Sequence, residues 1–420
     1  MNRRVLAPII ILAVVVVLAL ATGLEVLYRM SYALALALVL GLVWTWSSLR
    51  GVSARVTRIN GRTEVGRYFE AEIIVFNNTR MPKTGVDIGD LGDLQGQNTG
   101  GVVDIPGKAK GIPGQATLKV KVLCSRRGVF HVGPVRLSVR DPLGFFRLQR
   151  RFGQRLDVVV HPAIIDIPQF QVPSAEMTGD RSSRELAYFA ALQACSIREY
   201  VDGDGFNRVH WPSSAHHGKL MVKELDATRS SKAWIVVDME HRVRAGHGAE
   251  ATDEVAATAA ASIARRLVKM GGLVGLVSYG DSRCFLPPHR GDVQLANLLD
   301  ALAVLKAEGT VPLDRVLMEE ESAIGRNDSI IIITSSIDIR WVHLLSDLAR
   351  RHVSVCAVAI DPSGFDVQVD MAPFLGELSR QRVPFCLVRK GQPLSRALSA
   401  WGGPGAQFAT WPENGERMRP

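Results

Sequence analysis

Three patterns of hydrophobic and polar positions follow one another along the chain. The first 50 residues are almost continuously apolar, then short β-branched runs alternate with turn residues, and finally apolar runs alternate with amphipathic ones. These patterns are typical of membrane helices, of an antiparallel β domain and of an α/β domain with a parallel sheet. We expect domains at 1–50, 51–167 and 232–402, a connecting segment at 168–231 and a flexible tail at 403–420.

The N-terminal part contains two apolar runs. Residues 5–24 carry no charge, and at 1.5 Å per residue a helix of this length spans roughly 30 Å, the thickness of a bilayer core. The second run, residues 32–46, is shorter, but Tyr and Trp flank it as they do at membrane interfaces. The connection "EVLYRMS" is too short for a domain, so the sequence predicts a hairpin of two transmembrane helices.

Arginines around the two runs predict their orientation. Arg3 and Arg4 precede the first run and several arginines follow the second from Arg50 onward, whereas Arg29 lies between. Because cytoplasmic flanks are enriched in Lys and Arg, we expect a cell-membrane protein with two spans and cytoplasmic soluble domains. The alternative is that the first run is a cleaved signal peptide, since "ALA" at 19–21 resembles a processing site.

Short β-branched runs bounded by Gly, Pro and Asn fill the middle region and predict an all-β, sandwich-like domain. We expect the Gly- and Asp-rich stretch 85–114 to form a long surface loop. Six arginines between Arg136 and Arg155 are either solvated strand faces or a basic surface that faces anionic lipid. The expected strands are residues 71–78, 116–124, 135–139 and 157–162.

The C-terminal region alternates strand-like and helix-like segments, which predicts an α/β fold with a parallel sheet covered on both faces. The helix expected at 252–270 has acids in its first turn and bases near its end, which complements the helix dipole. In such sheets ligands bind beyond the carboxyl ends of the strands. Asp238 and the turn formed by residues 334–336 are expected there.

One polar stretch, "REYVDGDGFNRVHWPSSAHHGKL" at 198–220, separates the two regions. No strand–turn–helix elbow surrounds a serine, which argues against a catalytic interpretation. A metal site is also disfavoured, because adjacent histidines seldom bind one ion. The catalytic interpretation would use Asp202, Asp204, His210, Ser213 and Ser214, and the metal interpretation would use His210, His216 and His217.

We favour a structural clasp with a docking role for this stretch. Trp211 would be a large apolar anchor, Pro212 would stiffen the turn after it, and charged residues would form ion pairs across the ends of the sheet. Residues 219–225 would follow as an edge strand. The residues of this motif are Arg198, Glu199, Tyr200, Gly203, Asp204, Arg208, His210, Trp211, Ser214, Ala215, Gly218, Lys219 and Leu220.

Three passages together resemble the domain of unknown function 58 family. They are "RRGVFHVGPVRLSVRDPLGFF", "REYVDGDGFNRVHWPSSAHHGKLMVKE" and the strand "WIVVD". The resemblance extends over nearly the whole chain, and it implies a C-terminal domain similar to a von Willebrand factor A domain and no established enzymatic activity. It also implies a protein partner, because members of the family commonly occur beside MoxR-type AAA+ ATPases.

The same resemblance implies a place for a divalent cation. A von Willebrand factor A domain often binds Mg²⁺ through Asp-x-Ser-x-Ser, a distant Thr and a late Asp, which are ligands that suit a hard cation. Here Asp238 keeps the first position, but Glu240 and Arg242 replace the two serines. Thr310 matches the threonine, and Ser335 stands at the late aspartate position. We expect no cofactor, and the alternative is a degenerate Mg²⁺ site at Asp238, Glu240, Thr310 and Ser335.

Composition narrows the classes of function. The net charge of +9 would suit lipid head groups or nucleic acid, but the middle region has few aromatics and no nucleic-acid motif, so we expect no nucleic-acid partner. Five widely spaced cysteines without CxxC fit a reducing compartment. The sequence predicts a membrane-anchored, non-enzymatic interaction or scaffold protein that works with a MoxR-type AAA+ ATPase in a chaperone-like or complex-assembly role. The alternative is a divalent-metal-dependent binding protein.

Overall fold

The chain forms two compact units. The first comprises Met1–Ser125 with Val129–Val160, and the second comprises Arg126–Gly128 with His161–Pro420. The β-rich region lies in the first unit and the α/β region in the second. The structure, a computed structural model, describes residues 3–58, 62–89, 100–170, 172, 195–201, 209–225, 232–326 and 328–401.

Two apolar helices begin the first unit. Helix α1 spans Arg3–Thr22 and helix α2 spans Glu25–Leu49. Within the described chain, α2 is the one helix that is long and apolar enough to cross a membrane, while the apolar part of α1, residues 7–22, is shorter. Helix α2 begins at Glu25 and so includes the connection at 25–31, and the turn between the two helices needs only two residues. One of them is Gly23, whose φ of +67° is accessible to glycine at little cost.

The C-terminal part of α2 packs on the β-strands of its own unit. Thr45, Ser48 and Leu49 are buried on that side of the helix. The Lys83 ammonium donates a hydrogen bond to the Ser47 carbonyl at 2.6 Å, which satisfies one of the carbonyl groups that a helix leaves open at its end. Lys83 is itself buried, and this burial lowers the pKa of its ammonium group. Packing and this hydrogen bond therefore fix the end of α2 to the β region.

Ten strands complete the first unit. They are β1 Val52–Arg58, β2 Thr63–Glu64, β3 Tyr68–Asn77, β4 Lys83–Gly89, β5 Gly101–Ile105, β6 Gly114–Leu123, β7 Gly128–Val132, β8 Val135–Arg140, β9 Arg147–Phe152 and β10 Leu156–His161. They form three sheets with the orders β1-β3-β6, β2-β10-β7 and β5-β4-β8-β9. Alternate residues of β3, such as Ile73 and Val75, are fully buried in one shared core, as in a sheet with one solvated face.

The four strands expected in this region are present, with ends displaced by at most three residues. The long loop expected at 85–114 is wrong within the described residues, because β4, β5 and the start of β6 lie there. Residues 90–99 of that stretch lie outside the described chain. Val86 and Ile88 of β4 are fully buried, and their contribution to the core outweighs the low strand propensity of the Gly and Asp around them.

The described part of the second unit contains eight strands and seven α-helices. The strands are β11 Cys195–Glu199, β12 Met221–Leu225, β13 Lys232–Val237, β14 Leu273–Tyr279, β15 Arg283–His289, β16 Ser329–Thr334, β17 Ser354–Ile360 and β18 Phe385–Val388. The helices are α3 Trp211–His217, α4 Thr252–Lys269, α5 Asp292–Val304, α6 Leu313–Glu319, α7 Arg340–Arg350, α8 Ala372–Arg380 and α9 Leu394–Ala397.

Six of these strands form one sheet in the order β15-β14-β13-β16-β17-β18. Five are parallel, and β15 runs antiparallel to β14 at the edge. The sheet is therefore mixed, and the expectation of a purely parallel sheet missed β15. The reason is local, since Pro287 and Pro288 stand within β15 and proline is confined to edge strands or bulges.

Helices cover both faces of the six-stranded sheet. Ile235 and Val237 of β13 belong to one core with the alanine-rich side of α4, whereas Trp234 and Val236 belong to another with α7 and α8. Because successive strand side chains point to opposite faces, a continuous apolar run such as β13 supplies both cores. The carboxyl ends of the parallel strands are left as the place where polar residues can gather.

Candidate functional site

A hydrogen-bonded carboxylate lies where two central strands end. Asp238 follows β13 and Thr334 ends β16, and these strands are neighbours in the sheet. The chain continues from β13 to β14 on one side and from β16 to β17 on the other, so this is the topological switch point of the sheet. Ligands of open α/β sheets bind at such points. The fold therefore places the Asp238–Thr334 pair at the position where open α/β sheets bind ligands.

Both oxygens of Asp238 accept hydrogen bonds. The Thr334 hydroxyl donates to Oδ2 at 2.6 Å, and the Glu240 backbone N–H donates to Oδ1 at 3.1 Å. The pKa of Asp238 is raised from 3.8 to about 6. Burial is the largest cause and the charge of Glu240 acts in the same direction, while the two hydrogen bonds act in the opposite direction. The site thus holds a carboxyl group that titrates near neutrality and is fixed in one orientation.

The other residues predicted for a cation site do not join Asp238 in one ring of ligands. The Ser335 hydroxyl donates to the Val243 carbonyl at 2.7 Å. Thr310 is exposed, although its neighbour Gly309 forms a parallel bridge with Glu240. The threonine that contacts Asp238 is Thr334, which the sequence placed at the same sheet edge without pairing it. Residues at the carboxyl ends of adjacent strands lie close together, so the order of the strands would have predicted the contact between Asp238 and Thr334.

In the present arrangement Asp238 and Ser335 contact other groups of the protein. Mg²⁺ and Ca²⁺ require several oxygen ligands directed at one point. Here the Asp238 oxygens and the Ser335 hydroxyl are engaged in hydrogen bonds, and Arg242 Nε lies 4.0 Å from Glu240 Oε1. Among the residues that the structure describes, no three His, Cys, Asp or Glu side chains are grouped closely enough to hold a metal ion.

The polar motif before this sheet forms a second structural element. Strands β11 and β12 pair as an antiparallel two-stranded sheet, separate from the six-stranded sheet, with helix α3 just before β12. Gly218, at φ +65°, ends α3 in the left-handed conformation that glycine favours. The strand expected at 219–225 is present as β12, and in the described part of the motif a short helix packs on a two-stranded sheet where an irregular segment was expected.

Side chains of the motif hold this element together. The Ser214 hydroxyl accepts the Met221 N–H at 2.8 Å and donates to the His210 carbonyl at 3.0 Å. His210 Nδ1 lies 2.7 Å from Ser213 Oγ and accepts the Ser213 N–H, so this pair caps the start of α3. The Lys219 ammonium lies 3.0 Å from the Glu199 carboxylate. The contacts of His210 and Ser213 are those of a helix cap.

The tryptophan of the motif faces solvent. Trp211 is 64% exposed, so its predicted role as a buried anchor is wrong. It stands at the first turn of α3. Val201 and Leu220 are also exposed. They lie near Trp211 along the backbone, because the Tyr200 N–H bonds to the Leu220 carbonyl and the His210 N–H bonds to the Met221 carbonyl. We call Val201, Trp211 and Leu220 the apolar patch.

Part of the motif is beyond the described residues. Gly203, Asp204 and Arg208 lie there, as do Asp202 and the side chain of Arg198, so their predicted roles stay predictions. Tyr200 and Ala215 lie in the described part, beside the two-stranded sheet and within α3. The described residues of the motif form a β–α–β element that carries the apolar patch.

These features define a doubly wound α/β unit joined to a β-rich unit that begins with apolar helices. Residues 196–369 match the family described as protein of unknown function DUF58, which is less than half of the chain. The match includes both the motif and the Asp238 switch point.

Similar proteins carry no described activity. The uncharacterized protein YeaD of Bacillus subtilis is 26% identical over 220 residues, covering 52% of this chain and 53% of YeaD. The uncharacterized protein Rv1480 of Mycobacterium tuberculosis is 25% identical over 203 residues, covering 46% of this chain and 61% of Rv1480. The matched part is thus about half to three fifths of each relative's length.

Among solved structures, BslA, a bacterial hydrophobin, aligns with 27% of this chain and 97% of its own chain at 17% identity. Its TM-score is 0.19, which is too low to assign a shared fold.

Proposed function

We propose that this protein is a membrane-anchored interaction protein that binds another protein and catalyses no reaction itself. The apolar helix α2 supports the anchor, and the apolar run of α1 supports a second span in a helical hairpin. Arginines at both outer ends of the hairpin support cytoplasmic soluble units. In this proposal the β-rich unit is a spacer and the α/β unit is the docking module.

The sheet order supports a von Willebrand factor A-like assignment for the second unit. Its strands follow the doubly wound arrangement, with a switch point between β13 and β16 and helices on both faces. A fold of this kind presents its binding residues at the carboxyl edge of the sheet. The proposal therefore includes the Asp238 edge as a face that a partner can contact.

The apolar patch is the observation that carries the docking role. A tryptophan with two exposed apolar neighbours is unusual on a soluble surface, and tryptophan is enriched among the residues that dominate binding energy at interfaces. The Lys219–Glu199 ion pair lies within the same element, so charged groups accompany the apolar contact. We propose a MoxR-type AAA+ ATPase as the partner, in a chaperone-like or complex-assembly role.

Capture of the ATPase tests this proposal. We expect the full chain in nanodiscs to retain a MoxR-type AAA+ ATPase in the presence of ATP or ADP, and Trp211→Ala to weaken retention at least tenfold. A tenfold loss corresponds to about 1.4 kcal/mol, a modest value for an interfacial tryptophan. The measurement is the dissociation constant from biolayer interferometry with the ATPase as analyte.

The matched control is Met318→Ala, which truncates another exposed apolar side chain of the same unit, 55% exposed. It should leave the dissociation constant unchanged. Equal weakening by both variants would assign the loss to general surface hydrophobicity, and failure of the parent chain to retain the ATPase in either nucleotide would refute the partner assignment.

The alternative is a divalent-metal-dependent binding protein, and the position of Asp238 at the switch point is the observation in its favour. Because the oxygens at this site are engaged in hydrogen bonds, we expect titration of the full chain with Mg²⁺, Mn²⁺ and Ca²⁺ to produce no saturable heat. Saturable heat that disappears in Asp238→Asn would support the alternative. Heat that persists in this variant would place the cation elsewhere.

A further inference from the structure

The hairpin formed by β8 and β9 ends in a turn that contacts the apolar helix α2. A Cβ atom on Gly41 of α2 would lie 3.3 Å from Phe146 Cδ2 and 3.3 Å from Asp141 Oδ2. Contact this close is achieved because residue 41 is glycine, and it places the turn directly against the helix. The turn comprises residues 141–146, "DPLGFF".

The point of contact lies inside the apolar part of α2. Trp44 and Trp46 follow Gly41 and are 47% and 58% exposed. Tryptophan concentrates at the boundary between head groups and acyl chains. Three to five residues at 1.5 Å each place Gly41 roughly 5 to 8 Å deeper than these tryptophans. A turn that reaches Gly41 therefore reaches the acyl boundary of any bilayer that α2 crosses.

Several polar groups of the turn are satisfied within it, which suits a water-poor environment. The Asp141 carboxylate, which is buried, accepts the N–H groups of Leu143 and Phe146 at 3.1 and 2.6 Å. The Gly144 N–H bonds to the Asp141 carbonyl, and the Asp141 N–H bonds to the Phe146 carbonyl. The side chain at its tip, Leu143, is apolar and 57% exposed.

Arginines occupy one face of the same hairpin. Arg136 pairs directly with Arg151 across the two strands, and Arg140 pairs directly with Arg147. Positions two apart along a strand share a face, so all four lie on the side opposite the buried Leu137. Directly opposed like charges are unfavourable in a sheet. The Asp87 carboxylate lies 3.5 Å from Arg147 and offsets part of this charge. A layer of phosphate groups beside the face would offset its remaining positive charge.

We propose that the turn at 141–146 is a second membrane contact, with Leu143 inserted at the acyl boundary and the hairpin arginines bound to the phosphates of anionic lipids. The proposal rests on the proposed membrane anchoring of α2. It adds a specific contact of the β-rich unit, which fixes the depth of its hairpin in the bilayer.

Depth-dependent fluorescence quenching tests the insertion. The full chain, with Cys195→Ser and Cys284→Ser to limit background labelling, receives one cysteine for an environment-sensitive fluorophore. The labelled variants are Leu143→Cys, Leu36→Cys on α2 and Leu123→Cys at the end of β6. Strand β6 begins at Gly114, which pairs with Asn77, and Asn77 also pairs with Val52 just after α2. Leu123 lies at the other end of β6, about 30 Å from Gly114. Each variant is placed in nanodiscs of phosphatidylcholine and phosphatidylglycerol that contain spin-labelled lipid.

We expect quenching at residues 36 and 143 and none at 123, with residue 143 quenched more by a spin label near the head group than by one deep in the acyl chain. Quenching at 36 without quenching at 143 would overturn the inserted turn and leave the anchor intact. Absence of quenching at 36 would refute the anchor itself.

A second arm tests the arginines. Replacing phosphatidylglycerol with phosphatidylcholine should reduce quenching at residue 143 and leave residue 36 unchanged. Unchanged quenching at both positions would remove the anionic lipid from the proposal.

Discussion

Replacing Asp238 with asparagine should make the second unit more stable at pH 8 and leave its stability unchanged at pH 4. The folded pKa of Asp238 is raised from an ordinary 3.8 to about 6, chiefly by burial. The folded state therefore holds its proton at a higher pH than the unfolded state does. Stability falls as pH rises from about 4 to 6, and the penalty is complete above that window. It amounts to at most about 3 kcal/mol at 1.36 kcal/mol per pH unit.

Asparagine removes the charge and preserves the hydrogen bonds. Its amide oxygen can accept the Glu240 N–H, and its NH₂ group can donate to the Thr334 oxygen. We expect a gain of about 1–3 kcal/mol at pH 8. The measurement is urea unfolding of the full chain in nanodiscs, with hydrogen exchange of β13 and β16 peptides as the local readout.

The control is Asp281→Asn, which removes an exposed carboxylate from the turn between β14 and β15. It should leave the pH dependence unchanged. A gain in Asp238→Asn that is equal at pH 4 and pH 8 would contradict the assignment.

Replacing Arg127 with methionine should destabilise the second unit by about 3–5 kcal/mol, the usual effect of removing one partner from a buried ion pair. The side chain of Arg127 is 3% exposed. Its guanidinium donates to the carbonyls of Asp253 and Leu305 at 2.9 and 3.0 Å and lies 3.0 Å from the Glu254 carboxylate. Without it, these acceptors would remain buried, and the pKa of Glu254, already raised by burial, would rise further.

The neighbouring arginine provides a matched control. Arg126→Met removes the same charge one residue away, but Arg126 is exposed, so its effect should stay within about 0.5 kcal/mol. Hydrogen exchange of peptides from α4 and α5 in the full chain reports the local opening free energy. Equal effects of the two variants would mean that the buried contacts of Arg127 contribute nothing beyond its charge.

The two arginines also show where sequence reasoning stops. In "SRRG" they are locally equivalent, and the basic composition suggests a solvated turn for both. Burial of one of them depends on acceptors at residues 253, 254 and 305, which are more than 120 positions away. No local pattern contains that information.

Elements with long, regular patterns were predictable. Strand β13, expected at 233–238, and helix α4, expected at 252–270, lie within one residue of these ends. A buried apolar run and an amphipathic helix with ordered charges are strong signals in the sequence. Asp238 contacts Thr334 because β13 and β16 are neighbours in the sheet. The alternation of strands and helices in the sequence does not specify which strands are neighbours. The exposure of Trp211 was missed because a tryptophan beside a proline predicts an anchor equally well whether it packs inward or contacts a partner.

Strand β15 has a consequence for how this protein can associate. Proline supplies no N–H. Because successive N–H groups of a strand point to opposite sides, one of the consecutive Pro287 and Pro288 leaves a gap in the row of donors along the open margin of the six-stranded sheet. The opposite margin, β18, is four residues long. Open sheet margins invite strand addition from other chains, and prolines and short strands are the usual protection against it. Fibre-like stacking and β-augmentation are therefore disfavoured at both margins of this sheet.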